Sequence, residues 1–218
     1  HPMKQSKKTI QNPSPWLLAL ETRAFIELGM GLASFPLSPK QAPKNKRVVL
    51  VIPGLGMGDL STLLFRQRLQ KAGYQAHGWG QGINLGTNSS VRDGLFERVQ
   101  TLADNSGDSI SIVGWSLGGI FARELARKLP NFVHSVITLG TPFSGSPFGN
   151  RLLPLAEQIS GKPFTDNDMA AFLKRSEPPP VITFALHSKT DGIVNWRCSL
   201  EQETDHTQNR EVMSSHFG

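Results

Sequence analysis

Short apolar runs alternate with longer segments of helical periodicity over most of this chain. Residues 47–54 (RVVLVIPG) are a continuous, largely β-branched run that ends in Pro-Gly, which predicts a buried strand. Comparable runs predict further strands at residues 74–80, 109–115, 133–140 and 180–188, and a short final strand at 210–215. Because most of these strands are apolar on both faces, we expect a mostly parallel sheet covered by helices on both faces, an α/β fold.

The segments between these runs carry apolar residues at helical spacing. Residues 59–73 are predicted to form a helix with Asp59 as its N-cap, and residues 89–107 carry apolar side chains at three- and four-residue steps. Residues 117–130 predict a third helix that ends before Pro130, and 196–203 leave room for another. Alternation of strands and helices favours right-handed crossovers.

One connection is much longer than the rest. Residues 141–179 separate two predicted strands, whereas roughly 2–6 residues are usual between elements of this kind. The segment contains two helical patterns, RLLPLAEQIS and DNDMAAFLKRSE. We therefore expect a helical insertion, a lid or cap, on the side where the strands end and where a site would lie.

The positive charge of the chain is concentrated at its beginning. Residues 1–47 hold eight Lys and Arg against two Glu, which accounts for the whole net charge of +6. We expect residues 1–46 to be a basic arm with an amphipathic helix, marked by Leu17, Leu20, Ala24 and Leu28, packed on or near the domain formed by 47–218. Peripheral membrane contact through this arm is the alternative, and no array of basic and aromatic residues indicates nucleic-acid binding.

Length and cysteine content narrow the class of protein further. A chain of 218 residues, 38% hydrophobic and 18% charged, suits one globular domain. Its single cysteine, Cys198, cannot form an intramolecular disulfide and is expected to be a structural thiol. No secretory signal is evident, and HPM at the start is typical of an expression remnant before a native Met3, so a cytoplasmic location is expected.

A serine lies between glycines at the point where an apolar run becomes a helix. Residues 114–118 (GWSLG) fit the pattern G-x-S-x-G, with a predicted strand before them and a predicted helix after them. This strand–turn–helix context holds Ser116 out at the carboxyl edge of the sheet. A serine that only caps the helix is the alternative interpretation.

At these residues the chain resembles the α/β-hydrolase fold, specifically its lipase- and esterase-like branch. GWSLGG and VITLGTPFSGSP are similar to lipase sequences, and HSKTDGIVNW is similar to the loop that carries the family's acid. The resemblance runs from about Arg47 to the end. It implies a serine hydrolase that cleaves small-molecule or lipid esters through an acyl-enzyme, without a cofactor, with the catalytic residues in the order Ser, Asp or Glu, His.

That order selects an acid and a base. Asp191 directly follows a predicted strand, whereas Asp166 and Asp168 lie in the insertion, where a carboxylate caps a helix. His216 leaves room after Asp191 for a helix and a strand, which the nearer His206 does not. Ser116, Asp191 and His216 are therefore the predicted catalytic residues. Family members usually continue with a helix after this histidine, so we expect a shortened chain with a loosely held base.

The resemblance also implies where an oxyanion would bind. The donors are the backbone N–H of Leu117 and that of Leu55, in a loop (IPGLGMGD) where Pro53 replaces the family's usual histidine. Apolar residues of the insertion are candidates for substrate binding: Leu152, Leu153, Leu155 and Phe172. Neither a phosphate-loop spacing nor a metal-ligand spacing is present.

Two other functions share these residues. An acyltransferase uses the same three catalytic side chains but passes the acyl group to an acceptor other than water. A binding protein on a hydrolase fold would use none of them chemically.

Overall fold

In the part of the chain that the computed structural model describes, six strands form one sheet, and all neighbouring strands in it are parallel. The structure describes residues 10–24, 27, 47–86, 89–146, 149, 151, 154, 157–158 and 174–218. The strand order is β2-β1-β3-β4-β5-β6, and the predicted mostly parallel sheet is confirmed. The strands are β1 (Val48–Ile52), β2 (Gln75–Gly78), β3 (Ile110–Trp115), β4 (Val133–Leu139), β5 (Ile182–His187) and β6 (Thr207–Glu211).

Helices cover both faces of this sheet, as the sequence predicts. Leu50 and Ile52 of β1 join the larger apolar cluster with side chains of α3 (Ser89–Ser106) and α4 (Leu117–Lys128). Val49 and Val51 join a second cluster with Leu69 of α2 (Leu63–Lys71). Neighbouring residues of a strand point to opposite faces, so a strand buried on both sides needs an unbroken apolar run. The helices are α1 (Pro15–Leu20), α2 (Leu63–Lys71), α3 (Ser89–Ser106) and α4 (Leu117–Lys128), with 3₁₀ turns at Glu21–Arg23 and Trp196–Ser199.

Three local predictions are wrong. Asp59 does not cap α2, which begins at Leu63; its carboxylate instead accepts hydrogen bonds from the backbone N–H groups of Trp79 and Gly80, just beyond β2. The helix expected over 196–203 is a single 3₁₀ turn. The final strand begins at Thr207, earlier than its apolar residues indicate, because it lies at the edge of the described sheet, beside β5, where polar side chains are tolerated.

The predicted arm and insertion fall largely outside the described residues. Of 1–46, the structure describes 10–24 and Glu27, which contain the first part of the predicted amphipathic helix as α1 and its 3₁₀ turn. Of 141–179, it describes mainly the two ends. Within the described part of the chain, no helix has the length and apolar character needed to cross a membrane.

A buried ion pair ties α4 to the chain that precedes β6. The side chains of Arg123 and Glu201 are 1% and 0% exposed and are in direct contact. The Arg123 guanidinium also donates hydrogen bonds to the carbonyl oxygens of Arg175, Ser176 and Glu177 and lies 3.7 Å from the centre of the Phe143 ring. Burial lowers the pKa of Arg123, so its charged form depends on the carboxylate opposite it.

Candidate active site

Ser116 occupies a sharp turn between β3 and α4. Its backbone angles, φ 52° and ψ −119°, make it the one residue other than glycine with positive φ in the described ranges. The helix after it packs closely on the sheet: a Cβ at Gly118 would overlap the carbonyl oxygen of Ile52, and one at Gly119 would overlap the side chain of Thr141. The positive φ of Ser116 is a strained conformation, and such strain persists only where the surrounding structure holds the backbone in place.

Three buried side chains form a continuous chain of hydrogen bonds at the carboxyl edge of the sheet. His216 Nε2 lies 3.0 Å from Ser116 Oγ, and His216 Nδ1 lies 2.7 Å from Asp191 Oδ2. The three residues are 3%, 6% and 5% exposed, in the order Ser116, His216, Asp191. They follow β3, β6 and β5 respectively, so the parallel sheet brings their loops to one edge.

The Asp191 carboxylate is held by its own loop. Its Oδ1 accepts hydrogen bonds from the backbone N–H groups of Ile193 and Val194, both 2.8 Å away, which leaves Oδ2 directed at His216. A histidine with one ring nitrogen bonded to a carboxylate is fixed in orientation and tautomer. The other ring nitrogen, Nε2, then faces the serine hydroxyl as a proton acceptor.

The main chain of His216 is bonded on both sides. Its N–H donates to the carboxylate of Glu21, and its carbonyl oxygen accepts from Nε1 of Trp115, 2.9 Å away. The Trp115 ring also packs edge-on against Phe217. The expectation of a loosely held histidine is therefore wrong.

The other candidates for the acid and the base lie elsewhere. His206 is exposed, and its Nε2 lies 3.1 Å from the carbonyl oxygen of Pro179. His187 belongs to β5 and stacks on Trp196, and burial lowers its pKa. Asp166 and Asp168 lie outside the described residues.

The two predicted oxyanion donors lie in segments that meet at Ser116. Leu117 is the first residue of α4, and Leu55 follows Gly54, whose added Cβ would lie 3.4 Å from Ser116 Cβ. Asn84 supports the second segment: its side chain donates to Pro53 O at 2.8 Å, and its backbone bonds both Gly56 and Met57. Asn84 is fully buried.

The structure says nothing about the predicted substrate-binding residues, because Leu152, Leu153, Leu155 and Phe172 lie outside the described residues. The described residues do form a cavity of about 460 Å³. Ser116 is not among the described residues that line it. Across the same described ranges, no three His, Cys, Asp or Glu side chains lie close enough to hold a metal ion. The residues that line the cavity include Val51, Val113, Leu186, Asp191 and His216.

Glu21 and Asn84 are the residues at this site that sequence patterns missed. Glu21 interrupts an apolar helical stretch, and a carboxylate in such a place signals a buried polar contact. Asn84 lies in a Gly-rich segment where asparagine is an ordinary turn residue, so nothing local distinguishes it.

Comparison of the sequence with known proteins gives one short match. No family model matches the chain. Over 51 residues, 23% of this chain, it is 39% identical to a protein named triacylglycerol lipase from Pseudarthrobacter phenanthrenivorans. The matched segment is 16% of that relative's length.

Comparison of the folds gives much longer matches. The chain is similar to Aspergillus fumigatus lipase B (TM-score 0.62, 14% identity, 81% of this chain and 51% of that one). It is also similar to mature Bacillus licheniformis lipase BlEst2 (TM-score 0.60, 17% identity, 82% of this chain and 88% of that one). A third similar structure is Paleococcus ferrophilus monoacylglycerol lipase (TM-score 0.55, 15% identity, 82% of this chain and 89% of that one). The chain spans about half of the fungal enzyme but most of the other two. At these identities the likeness is one of fold: the chain has the α/β-hydrolase fold of lipases and esterases.

Proposed function

We propose that this protein is a serine hydrolase that cleaves carboxylic esters through an acyl-enzyme intermediate. One observation carries the proposal: the buried hydrogen-bond chain from Ser116 Oγ through His216 to Asp191. A serine hydroxyl is a weak nucleophile at neutral pH, and it becomes effective only beside an oriented base. The arrangement supplies that base and the carboxylate that orients it.

In the acylation step, Ser116 Oγ forms a bond to the ester carbonyl carbon while His216 Nε2 takes the hydroxyl proton. The carbonyl oxygen becomes the oxyanion of a tetrahedral intermediate. When the intermediate collapses, the bond to the alcohol oxygen breaks and His216 gives its proton to that oxygen. Asp191 keeps its charge and stabilises the imidazolium.

In the deacylation step, water replaces the alcohol. His216 removes a proton from water as its oxygen attacks the acyl carbon, and the second tetrahedral intermediate releases the acid as the proton returns to Ser116 Oγ. We assign the oxyanion in both steps to the backbone N–H groups of Leu117 and Leu55. Loss of one donor of this kind costs about 10²–10³ in kcat.

Exposed apolar side chains near the site favour esters with an apolar part. Leu60, Ile83 and Leu85 are 82%, 58% and 62% exposed, and they lie in the segments that follow β1 and β2 at the edge where the triad lies. Two of the proteins to which the chain is similar are named as lipases of triacylglycerol and monoacylglycerol. Esters with a fatty acyl chain are therefore included in the first test.

The test is turnover of p-nitrophenyl esters from acetate to palmitate by the wild type, Ser116→Ala and a matched control, Ser106→Ala. Ser106 ends α3 and lies away from the triad. We expect Ser116→Ala to lose about 10⁴-fold or more in kcat, since it removes the nucleophile, and Ser106→Ala to keep wild-type activity. Hydrolysis that survives Ser116→Ala would contradict the proposal, and acyl transfer to added alcohols in preference to water would make the enzyme a transferase.

A further inference from the structure

The segment before the hydrolase sheet contributes a carboxylate to the surroundings of the triad. Glu21 lies in the 3₁₀ turn after α1 and is only 9% exposed. Its hydrogen-bond partners, Gly192 and His216, lie 171 and 195 residues further along the chain, so these contacts join the two ends of the described chain. A carboxylate this deeply buried is stable only when its oxygens accept hydrogen bonds.

The Glu21 carboxylate bonds the loops of both Asp191 and His216. Its Oε1 accepts from the backbone N–H of Gly192 at 2.7 Å, next to the proposed acid. Oε1 and Oε2 lie 3.1 and 2.9 Å from the backbone nitrogen of His216 itself. One rigid group therefore sets the distance between the two main-chain segments that carry the Asp–His pair.

Neighbouring side chains repeat the same arrangement one residue further out. Arg23 Nη2 donates to the carbonyl oxygen and the hydroxyl of Thr190, at 3.0 and 2.7 Å. Glu27 accepts from the backbone N–H and the hydroxyl of Ser215, and it pairs with Arg23 at 3.1 Å. The residues before Asp191 and before His216 are thus linked through the Arg23–Glu27 ion pair of the same segment.

The main chains are in contact as well. A Cβ at Gly192 would overlap the carbonyl oxygen of Leu17 in α1, so only glycine lets the acid loop approach the helix this closely. The acid loop and the histidine loop follow different strands, and the sheet alone leaves the relative position of their tips undetermined. Hydrogen bonds to a charged acceptor are about twice as strong as neutral ones, which suits Glu21 to join them.

We propose that Glu21 is a positioning residue that holds Asp191 and His216 in register for proton transfer. The proposal rests on the proposed ester hydrolysis. Glu21 touches neither Ser116 nor the reacting atoms; it acts through the main chain of the other two. Misplacement of a catalytic group by about 1 Å can cost on the order of 10²-fold in rate, which sets the scale of the expected effect.

The experiment compares Glu21→Gln and Glu21→Ala with the wild type and with Glu124→Ala, in the full chain. Glu124 is the matched control: it is a glutamate in an ion pair, with Arg92, but it is partly exposed and away from the triad. Four quantities are measured at equal folded fraction, checked by circular dichroism. They are kcat, KM, the rate of serine labelling by a fluorophosphonate probe, and the far-downfield NMR signal of the His216 Nδ1 proton bonded to Asp191.

We expect Glu21→Ala to lower kcat and the labelling rate about 10- to 100-fold with KM within about twofold, and to broaden or abolish the Nδ1 proton signal. Glu21→Gln keeps one acceptor oxygen and should fall between Ala and the wild type, while Glu124→Ala should match the wild type. Glu21 variants that equal Glu124→Ala in kcat, labelling and NMR signal would overturn the proposal. A wild type without esterase activity would instead refute the proposed function, and the NMR signal would still decide the role of Glu21.

Discussion

Replacing Arg123 by Met tests how strongly the buried ion pair with Glu201 stabilises the fold around α4. The substitution keeps a long side chain but removes the guanidinium. The Glu201 carboxylate, 0% exposed, then has no opposite charge, and the carbonyl oxygens of Arg175, Ser176 and Glu177 lose a donor. Glu201→Leu leaves the guanidinium buried without its carboxylate in the same way.

The size of the effect follows from this burial. Removal of one partner from a buried pair costs about 3–5 kcal/mol, because the charge left behind has no compensation. A partly exposed pair such as Arg92 with Glu124, 43% and 28% exposed, contributes only about 0–1 kcal/mol. The double variant Arg123→Met/Glu201→Leu has no uncompensated charge, so we expect it to lose at least about 2 kcal/mol less than the sum of the single variants.

Urea unfolding, followed by circular dichroism and tryptophan fluorescence, measures these free energies. With a slope of about 1–3 kcal/mol/M, either single variant should lower the midpoint by about 1–5 M, whereas Arg92→Met should change it little. Coincidence of the two optical probes establishes that one transition is being measured. A loss below about 1 kcal/mol in the single variants, or strict additivity in the double variant, would refute the reasoning.

Three further predictions concern the site and its surroundings. Gly140→Ala should reduce kcat at least about tenfold in the ester assay, because φ is +54° there and a Cβ would lie 3.1 Å from Asp191 Oδ2; unchanged kcat would contradict this. Asn84→Ala leaves Pro53 O without its donor and should cost about 1–3 kcal/mol in urea unfolding together with a lower kcat, and loss of neither would contradict the support assigned to Asn84. Burial raises the pKa of the fully buried Cys198 thiol, so thiol reagents should react with it slowly even near pH 9 unless urea is added, and rapid native labelling would contradict its burial.

Much of the proposed catalytic centre was predictable because its signals are local. The strand–turn–helix context of Ser116 spans only residues 109–130, and periodicity within that span is enough to place the serine at a strand end. Asp191 directly follows a strand, and parallel strands end at one edge of a sheet. Chain order and the room left after Asp191 then favoured His216 over His206, and the structure places His216 beside the serine.

Predictions failed where a residue's partner is distant or its burial unusual. Asp59 has the residue type and place of an N-cap, but the backbone after β2 offers its carboxylate two N–H groups instead. The last strand is polar because it pairs at the sheet edge, so alternation of apolar residues placed its start too late. Both errors arise because propensity describes a segment alone, whereas the structure settles the contacts of that segment with others.

By itself, the sequence determined the order and type of the central strands and most of the helices, and the turn at Ser116, because these depend on side-chain periodicity and turn chemistry within short windows. The choice of Asp191 and His216 came from the order of catalytic residues that the resemblance to α/β-hydrolases implies. Only the tertiary structure decided that Glu21 bonds the loops of Asp191 and His216, that Asn84 supports Pro53, and that Arg123 pairs with Glu201. Such contacts join residues up to 195 positions apart, and a buried polar group finds its partner only when packing brings the two together.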